Sequence, residues 1–252
     1  MATKADAPRR VLVTGSAGAV GRPVCRALLE RWHAVRAFDR RPVAGLAEPL
    51  AGDLTDAQAV DRAVAGMDTV IHLAATVNEA DFLKEIVPNN IVGAWHVFDA
   101  ARRHGVKRLV VASTMQVIGR LPWKERTVRL EEGVAPWNHY AVSKLFVEDL
   151  GLMYALRHQI TVIAVRIGWL ARHAEEAEHA KEHPASRTIF LSQRDAARFF
   201  VRTVEAELPQ GSFHIVFATS RSDTHQGLDL EPARKVLGYE PQDVYPDGLD
   251  FS

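Results

Sequence analysis

Cysteine occurs once in this chain, at Cys25. A single thiol excludes an intrachain disulfide and a cysteine-built metal cluster; it fits a reducing compartment, so a cytoplasmic protein is expected. Net charge is missing too, since 31 basic side chains balance 31 acidic ones and no basic run is interleaved with aromatics. The electrostatic footprint of a nucleic-acid-binding protein is therefore lacking, and no nucleic-acid partner is expected. Apolar stretches such as 109–112 and 160–165 fall far short of the ~20 residues a membrane-spanning helix needs, so no membrane association is expected. Residues 1–10 are polar, include Pro8 and run into a strand pattern; no export signal is read there. Eleven histidines are present, but His173, His179 and His183 lie in a charged, poorly periodic stretch without ligand spacing, and no metal site is expected.

What the sequence does contain is an ordinary apolar fraction, 47% over 252 residues, enough to bury a full core. Short β-branched runs at 11–14, 34–38 and 69–73 alternate with amphipathic segments at 20–31 and 57–65. The rhythm continues with a helix near 91–104, a strand at 108–112, a helix near 140–157 and a strand at 161–165. Strands without internal alternation, each followed by a helix, predict an α/β fold: a Rossmann-like doubly wound parallel sheet. Residues 172–187, rich in Glu, His, Ala and Lys, read as a mobile loop or short helix of the kind that covers a site. A helix capped by Ser192 with Ala196, Phe199, Phe200 and Val204 on one side follows, then a strand at 213–217 and a short helix near 232–237. One Rossmann-like domain over 1–252 is expected, with 168–252 supplying a substrate-side insertion and a small C-terminal substrate-binding appendage.

The sharpest motif is Gly15-Ser16-Ala17-Gly18-Ala19-Val20-Gly21, because it leaves a strand and opens a helix. Gly15 permits the tight turn, Gly18 lets the backbone approach a pyrophosphate, and Gly21 allows close helix–strand packing beside free N–H groups. Asp39 ends the second strand, where a carboxylate accepts the hydroxyls of an adenosine ribose and repels a 2′-phosphate, which favours NAD. Arg40 and Arg41 follow at once, and an arginine there can pair with that phosphate, so NADP stays open. Asp53, before Leu54, either accepts from the adenine amino group or caps the helix beginning near Ala57.

Tyr140 and Lys144 stand four residues apart, on one face of a helix. A phenol is a poor base at neutral pH, and a neighbouring cation is expected to bring it towards the working range. The strand at 108–112 runs into Ser113 and Thr114, delivering two hydroxyls to the sheet edge where open α/β folds bind ligands. One of them should face Tyr140 and steady a developing oxyanion.

Together these residues resemble the extended short-chain dehydrogenase/reductase family, also called the NAD-dependent epimerase/dehydratase family, over nearly the whole chain. The matching elements are 14–21, Asp39, 52–54, His72-Leu73-Ala74-Ala75, Asn90 within 89–93, 113–119 and 140–144. The resemblance implies Thr114, Tyr140 and Lys144 as catalytic residues, with Lys144 also on the nicotinamide ribose. It implies a cofactor site that adds Leu73, Ala74, Ala75, Asn90, Ala112 and Ile167 to the loop residues, Asp39, Arg40, Asp53 and Leu54. Within the family the likeness is greatest to uronate dehydrogenases, through 113–119, 166–168 and the tail ending at 237–241. The substrate residues implied are Thr76, Val77, Ser113, Thr114, Met115, Gln116, Tyr140, Trp169 and Arg187. Val77 and Trp169 stand where those enzymes carry serines, and Arg187 lies slightly out of register with their substrate arginine.

The expected activity is hydride transfer between NAD and a hydroxyl or carbonyl carbon of a small sugar-like substrate, a uronic acid or an aldose. An epimerase/dehydratase retaining its cofactor and a non-catalytic dinucleotide-binding regulatory protein are the competing readings. The family often pairs subunits through the helices at 91–104 and 140–157. A homodimer is expected, with Phe146, Leu150, Met153 and Tyr154 suited to its interface or to packing within one subunit.

Overall fold

A computed structural model describes residues 8–41, 43, 45 and 48–249, so the stretch at 1–7 lies outside the described residues. Seven strands form one sheet in the order β3-β2-β1-β4-β5-β6-β7. They are β1 (Arg10–Thr14), β2 (Ala34–Asp39), β3 (Pro49–Ala51), β4 (Thr69–His72), β5 (Arg108–Thr114), β6 (Thr161–Ile167) and β7 (Phe213–Ala218). All neighbours pair in parallel. The strand order reverses between β1 and β4, and the carboxyl ends around that point form the crevice where open α/β sheets bind ligands.

The buried strands divide their side chains between two cores. Val11, Val13, Val110, Ile163 and Val165 pack under α1 (Gly21–Glu30) and α7 (Gln193–Glu205). Leu12, Leu109, Val111, Val162 and Ala164 pack under α2 (Ala57–Val64), α3 (Gly93–Arg103) and α4 (His139–His158). Alternate residues go to opposite faces, as pleating requires, and both faces are apolar because helices cover both. A third cluster, with Met115, Val117, Ile118, Ile189, Phe217 and Leu228, roofs the carboxyl edge over β5 and β6.

The helix expected near 91–104 begins earlier. A π-helical stretch, Phe82–Val92, leads into α3, capped by Asp81, whose side chain accepts from the N–H groups of Leu83 and Lys84. Pro88 lies inside this stretch, where the wider winding accommodates the proline and turns Asn89 and Asn90 onto Thr76. Residues 172–187 form two short helices, α5 (Ala174–Glu182), capped by the His173 side chain, and α6 (Pro184–Arg187), opened by its proline. The appendage closes with α8 (Glu231–Leu237) and a tail held by the buried Asp195 carboxylate, which accepts from Ser220 Oγ and from the N–H groups of Gln242 and Asp243.

On the outer face of α4, Tyr154 is buried edge-on against Phe98, and Phe146 and Leu150 lean on the same core, so these three pack within the subunit. Met153 stays exposed, as do Leu152 and Leu156 on the same helix and Trp95 on α3.

Candidate active site

A cleft of about 540 Å³ follows the carboxyl edge of the sheet from the end of β2 to the end of β6. At its β1 end, Gly15 adopts φ +73°, and a Cβ there would lie 2.7 Å from the backbone N of Ala74. A Cβ on Gly21 would lie 2.1 Å from the carbonyl oxygen of Gly15. The loop therefore sits against β4 as tightly as a backbone can, and α1 starts without a side-chain cap or an acidic first turn. Its N-terminus is left to an anion from outside, the arrangement that receives a pyrophosphate. These residues fit the dinucleotide that the glycine pattern predicts.

Asp39 turns its carboxylate towards the same loop: Oδ2 accepts from the N–H of Ala17 and Oδ1 from that of Arg41, both at 3.1 Å. Its remaining lone pairs suit ribose hydroxyls, and Arg40 and Arg41 stand beside it on the cleft wall. Asp39→Asn keeps one acceptor for the loop but removes the charge. We expect it to lower the preference for NAD over NADP about tenfold, the effect of losing ~1.4 kcal/mol of repulsion, measured as the ratio of the two dissociation constants. An unchanged ratio would assign the preference elsewhere.

Asp53 lines the cleft but does not cap α2. Its Oδ1 accepts from the N–H and the hydroxyl of Thr55, which holds its carboxyl below the usual range, while Asp56 makes the cap to Gln58 and Ala59. The capping alternative is thereby excluded, because the three-residue turn at 53–55 places Asp56, not Asp53, at the helix entrance.

Tyr140 lies in the first turn of α4, which Asn138 caps by accepting from the N–H of Ala141 at 2.8 Å. Lys144, one turn on, puts Nζ 5.8 Å from the phenol ring centroid. Thr114 ends β5, where its hydroxyl bonds the phenol and accepts from the N–H of Gln116. Burial pushes the Tyr140 phenol up to about 12, with the Thr114 bond pulling the other way. The same burial draws the Lys144 ammonium down to about 8. In the cleft without cofactor, burial of both groups thus opposes the lowering of the phenol expected of a neighbouring cation. Under this pair His72 is kept neutral, its pKa drawn to about 3 by burial first and the Lys144 charge second. Its Nδ1 is bonded to Thr14 Oγ1 at 2.8 Å.

Of the residues singled out in sequence, four stand off the cleft. Ala17 is turned to Asp39. Thr76 is locked by Asn89 and Asn90: its N–H donates to Asn90 Oδ1 at 2.8 Å, and its carbonyl oxygen accepts from Asn90 Nδ2 at 2.9 Å. Asn90 also donates to Ser143 Oγ at 3.0 Å, so it ties the loop after β4 to α4. Arg187 pairs with Asp223 at 3.0 Å, drawn away by a carboxylate from a distant loop. Ser113 lines the cleft, but its hydroxyl donates to Glu148 Oε1 at 2.5 Å.

Sequence reasoning missed Trp123, Trp137, Asn78, Arg172, Glu176 and Ile189, which complete the wall over β5 and β6. Trp123 and Trp137 come from the aperiodic excursion at 119–138, which carries two of the chain's five tryptophans, the one available signal. Among the described residues no group of three or more His, Cys, Asp or Glu side chains could hold a metal ion, and the His179 side chain lies outside them. Likewise no helix among them is long and apolar enough to cross a membrane.

Comparison with known proteins agrees with this geometry. The model of the NAD dependent epimerase/dehydratase family matches residues 11–188. An L-arabinose 1-dehydrogenase (NAD(P)(+)) of Haloferax volcanii is 33% identical, over 93% of this chain and 96% of its own. An NAD-dependent glucose-6-phosphate dehydrogenase of the same organism is also 33% identical, over 92% and 93%. Among solved structures, a variant of the uronate dehydrogenase from Agrobacterium tumefaciens, complexed with NAD, superposes with a TM-score of 0.79 at 29% identity. That superposition covers 94% of this chain and 86% of the other.

Proposed function

The chain belongs to the NAD-dependent epimerase/dehydratase family, and from that premise we propose that it oxidises one hydroxyl of a small sugar-like substrate. It is an NAD-dependent oxidoreductase. The observation that supports the assigned residues is the meeting of Thr114, Tyr140 and Lys144 in the same cleft as the glycine loop and Asp39.

In this reading the loop 15–21 and α1 hold the pyrophosphate, Asp39 the adenosine ribose, and Leu73, Ala74, Ala112 and Ile167 the walls leading to Tyr140. Oxidised NAD, when bound, supplies the acceptor for the hydride leaving the substrate carbon. Thr114 holds the substrate oxygen by hydrogen bond, and the Tyr140 phenolate takes its proton. Lys144 stabilises that phenolate, since a cation within one helical turn favours the charged form. Burial keeps water from competing for the proton, and the raised phenol makes Tyr140 a strong base once ionised.

The test is net formation of reduced cofactor when the purified protein meets NAD with a panel of free aldoses, uronic acids and sugar phosphates. Stoichiometric absorbance growth supports a dehydrogenase. Sugar interconversion without net reduction would select the cofactor-retaining epimerase, and tight NAD binding without turnover the regulatory reading.

A cytoplasmic homodimer is part of the same proposal. Trp95 on α3 and Leu152, Met153 and Leu156 on α4 leave apolar side chains exposed on the two helices, Trp95 at 48% and Leu156 at 68% exposure, which supports this reading.

A further inference from the structure

The charges along the cleft beyond Tyr140 bear on which sugar enters it. Resting on the dehydrogenase reading above, we propose that the substrate is an uncharged aldose, without carboxylate or phosphate, held by an apolar face against tryptophan.

Among the described residues, every cation that lines this half of the cleft is matched or committed, and Lys124, which does not line it, holds its Nζ 5.3 Å from the Trp123 ring centroid. Lys144 is buried beneath Tyr140. The Arg172 guanidinium is engaged by Glu176: Nε lies 2.9 Å from Oε1, and Nη2 touches the same oxygen. The Arg172 N–H also donates to Oε2, at 2.8 Å. Both members of this pair line the cleft, so its rim there carries no net charge. Arg187 is outside the cleft, paired with Asp223. Arg40 and Arg41 stand four strands away from β6, at the end of β2.

The polar group at the centre of this wall is neutral and fixed. Gln116 accepts at Oε1 from Trp137 Nε1 at 3.1 Å and from Asn138 Nδ2 at 2.7 Å, and donates from Nε2 to Asn78 Oδ1 at 3.4 Å. Trp123, Trp137 and Trp169, with Met115 and Ile189, surround it. A carboxylate or phosphate placed here would lose water against indole and methionine, meet only a guanidinium that Glu176 already engages, and face the Glu176 oxygens. Removing an ion from water without a partner is the costliest step a site can impose. A neutral sugar ring buries its C–H face on flat aromatic surface and turns hydroxyls to Gln116 and Thr114, which is what such a wall accommodates.

The test compares matched pairs, galactose with galacturonate and glucose with glucuronate and glucose 6-phosphate. Two readouts are used: NAD reduction, and quenching of tryptophan emission when sugar is added to the protein saturated with reduced cofactor. The neutral member of each pair should have the higher kcat/KM by about tenfold, the effect of setting an unmatched charge against apolar lining. Only neutral sugars should quench the emission, and their KM should not change with ionic strength. In Glu176→Gln the released Arg172 should narrow the neutral-to-acid ratio. Faster turnover of the uronate or phosphate ester, a KM that rises with salt, or a ratio unmoved by Glu176→Gln overturns the neutral-substrate inference and leaves the dehydrogenase reading standing. Failure of every sugar to be bound or oxidised by a protein that still binds NAD overturns both.

Discussion

Replacing Tyr140 with phenylalanine is expected to lower kcat by on the order of 10²–10⁴-fold, the range that a positioned proton-transfer group contributes. Cofactor affinity should stay within about threefold of the parent protein, because the ring, its packing and the ammonium beneath it are retained and only one hydroxyl is lost. The measurement is steady-state reduction of NAD beside a fluorescence titration of the reduced cofactor. Full activity in the phenylalanine variant would remove Tyr140 from the reaction. Loss of cofactor binding in step with activity would point instead to a collapsed cleft. The split matters here because Tyr140 is so enclosed that its phenol is pushed up to about 12. A phenol held there is useful as a base only where a cation arrives beside it, which is why the same side chain should be indispensable to turnover and nearly silent in binding.

The largest effect on stability is expected away from the reacting atoms. Glu148 of α4 and Arg166 of β6, each with side chains only 4% exposed, form a bidentate pair at 2.9 and 2.8 Å. Ser113 of β5 donates to the same carboxylate, and the guanidinium lies over the Phe217 ring, 5.8 Å from its centroid. Glu148→Ala leaves a buried guanidinium without its partner, a change worth about 3–5 kcal/mol. In a chain of this size that corresponds to a fall in Tm of roughly 10 °C. Calorimetric unfolding checks it, and a fall below ~2 °C would mean that water reaches the pair. Glu148→Leu combined with Arg166→Met should recover most of the loss, since apolar side chains of similar volume need no partner. The cluster also joins α4 to the strand that ends in Thr114, so variants that still fold should lose kcat through misplacement of Thr114 against Tyr140.

Much of this molecule is legible along the chain. The β-branched runs and the helices between them are local patterns, each set by side chains within a few residues, and they lead directly to the parallel sheet. The glycine loop is equally local: a left-handed Gly15 and a Gly21 without room for Cβ are demands of one turn. Asp39 and the Tyr140–Lys144 pair follow from strand length and helical spacing. Where local signals conflict, the tertiary setting wins. Pro88 and two asparagines sit inside a helix because Thr76 offers both asparagines partners that an isolated peptide lacks.

The amino-acid sequence by itself thus determined the order of elements, the glycine loop and the Tyr140–Lys144 pair proposed to transfer the proton. Spacing of 2.0 or 3.6 residues and backbone freedom at single glycines need no distant partner. Only the tertiary structure decided which side chains finish the substrate wall. Trp123 and Trp137 reach it from an excursion without periodicity, and Arg172 arrives already bound to Glu176. Arg187 is drawn off by Asp223, and the Ser113 hydroxyl turns to a carboxylate 35 residues away. Each of these outcomes is a competition between partners far apart in the chain, settled by which buried charge or donor can be satisfied. Closing the fold, not the local sequence, brings those partners together.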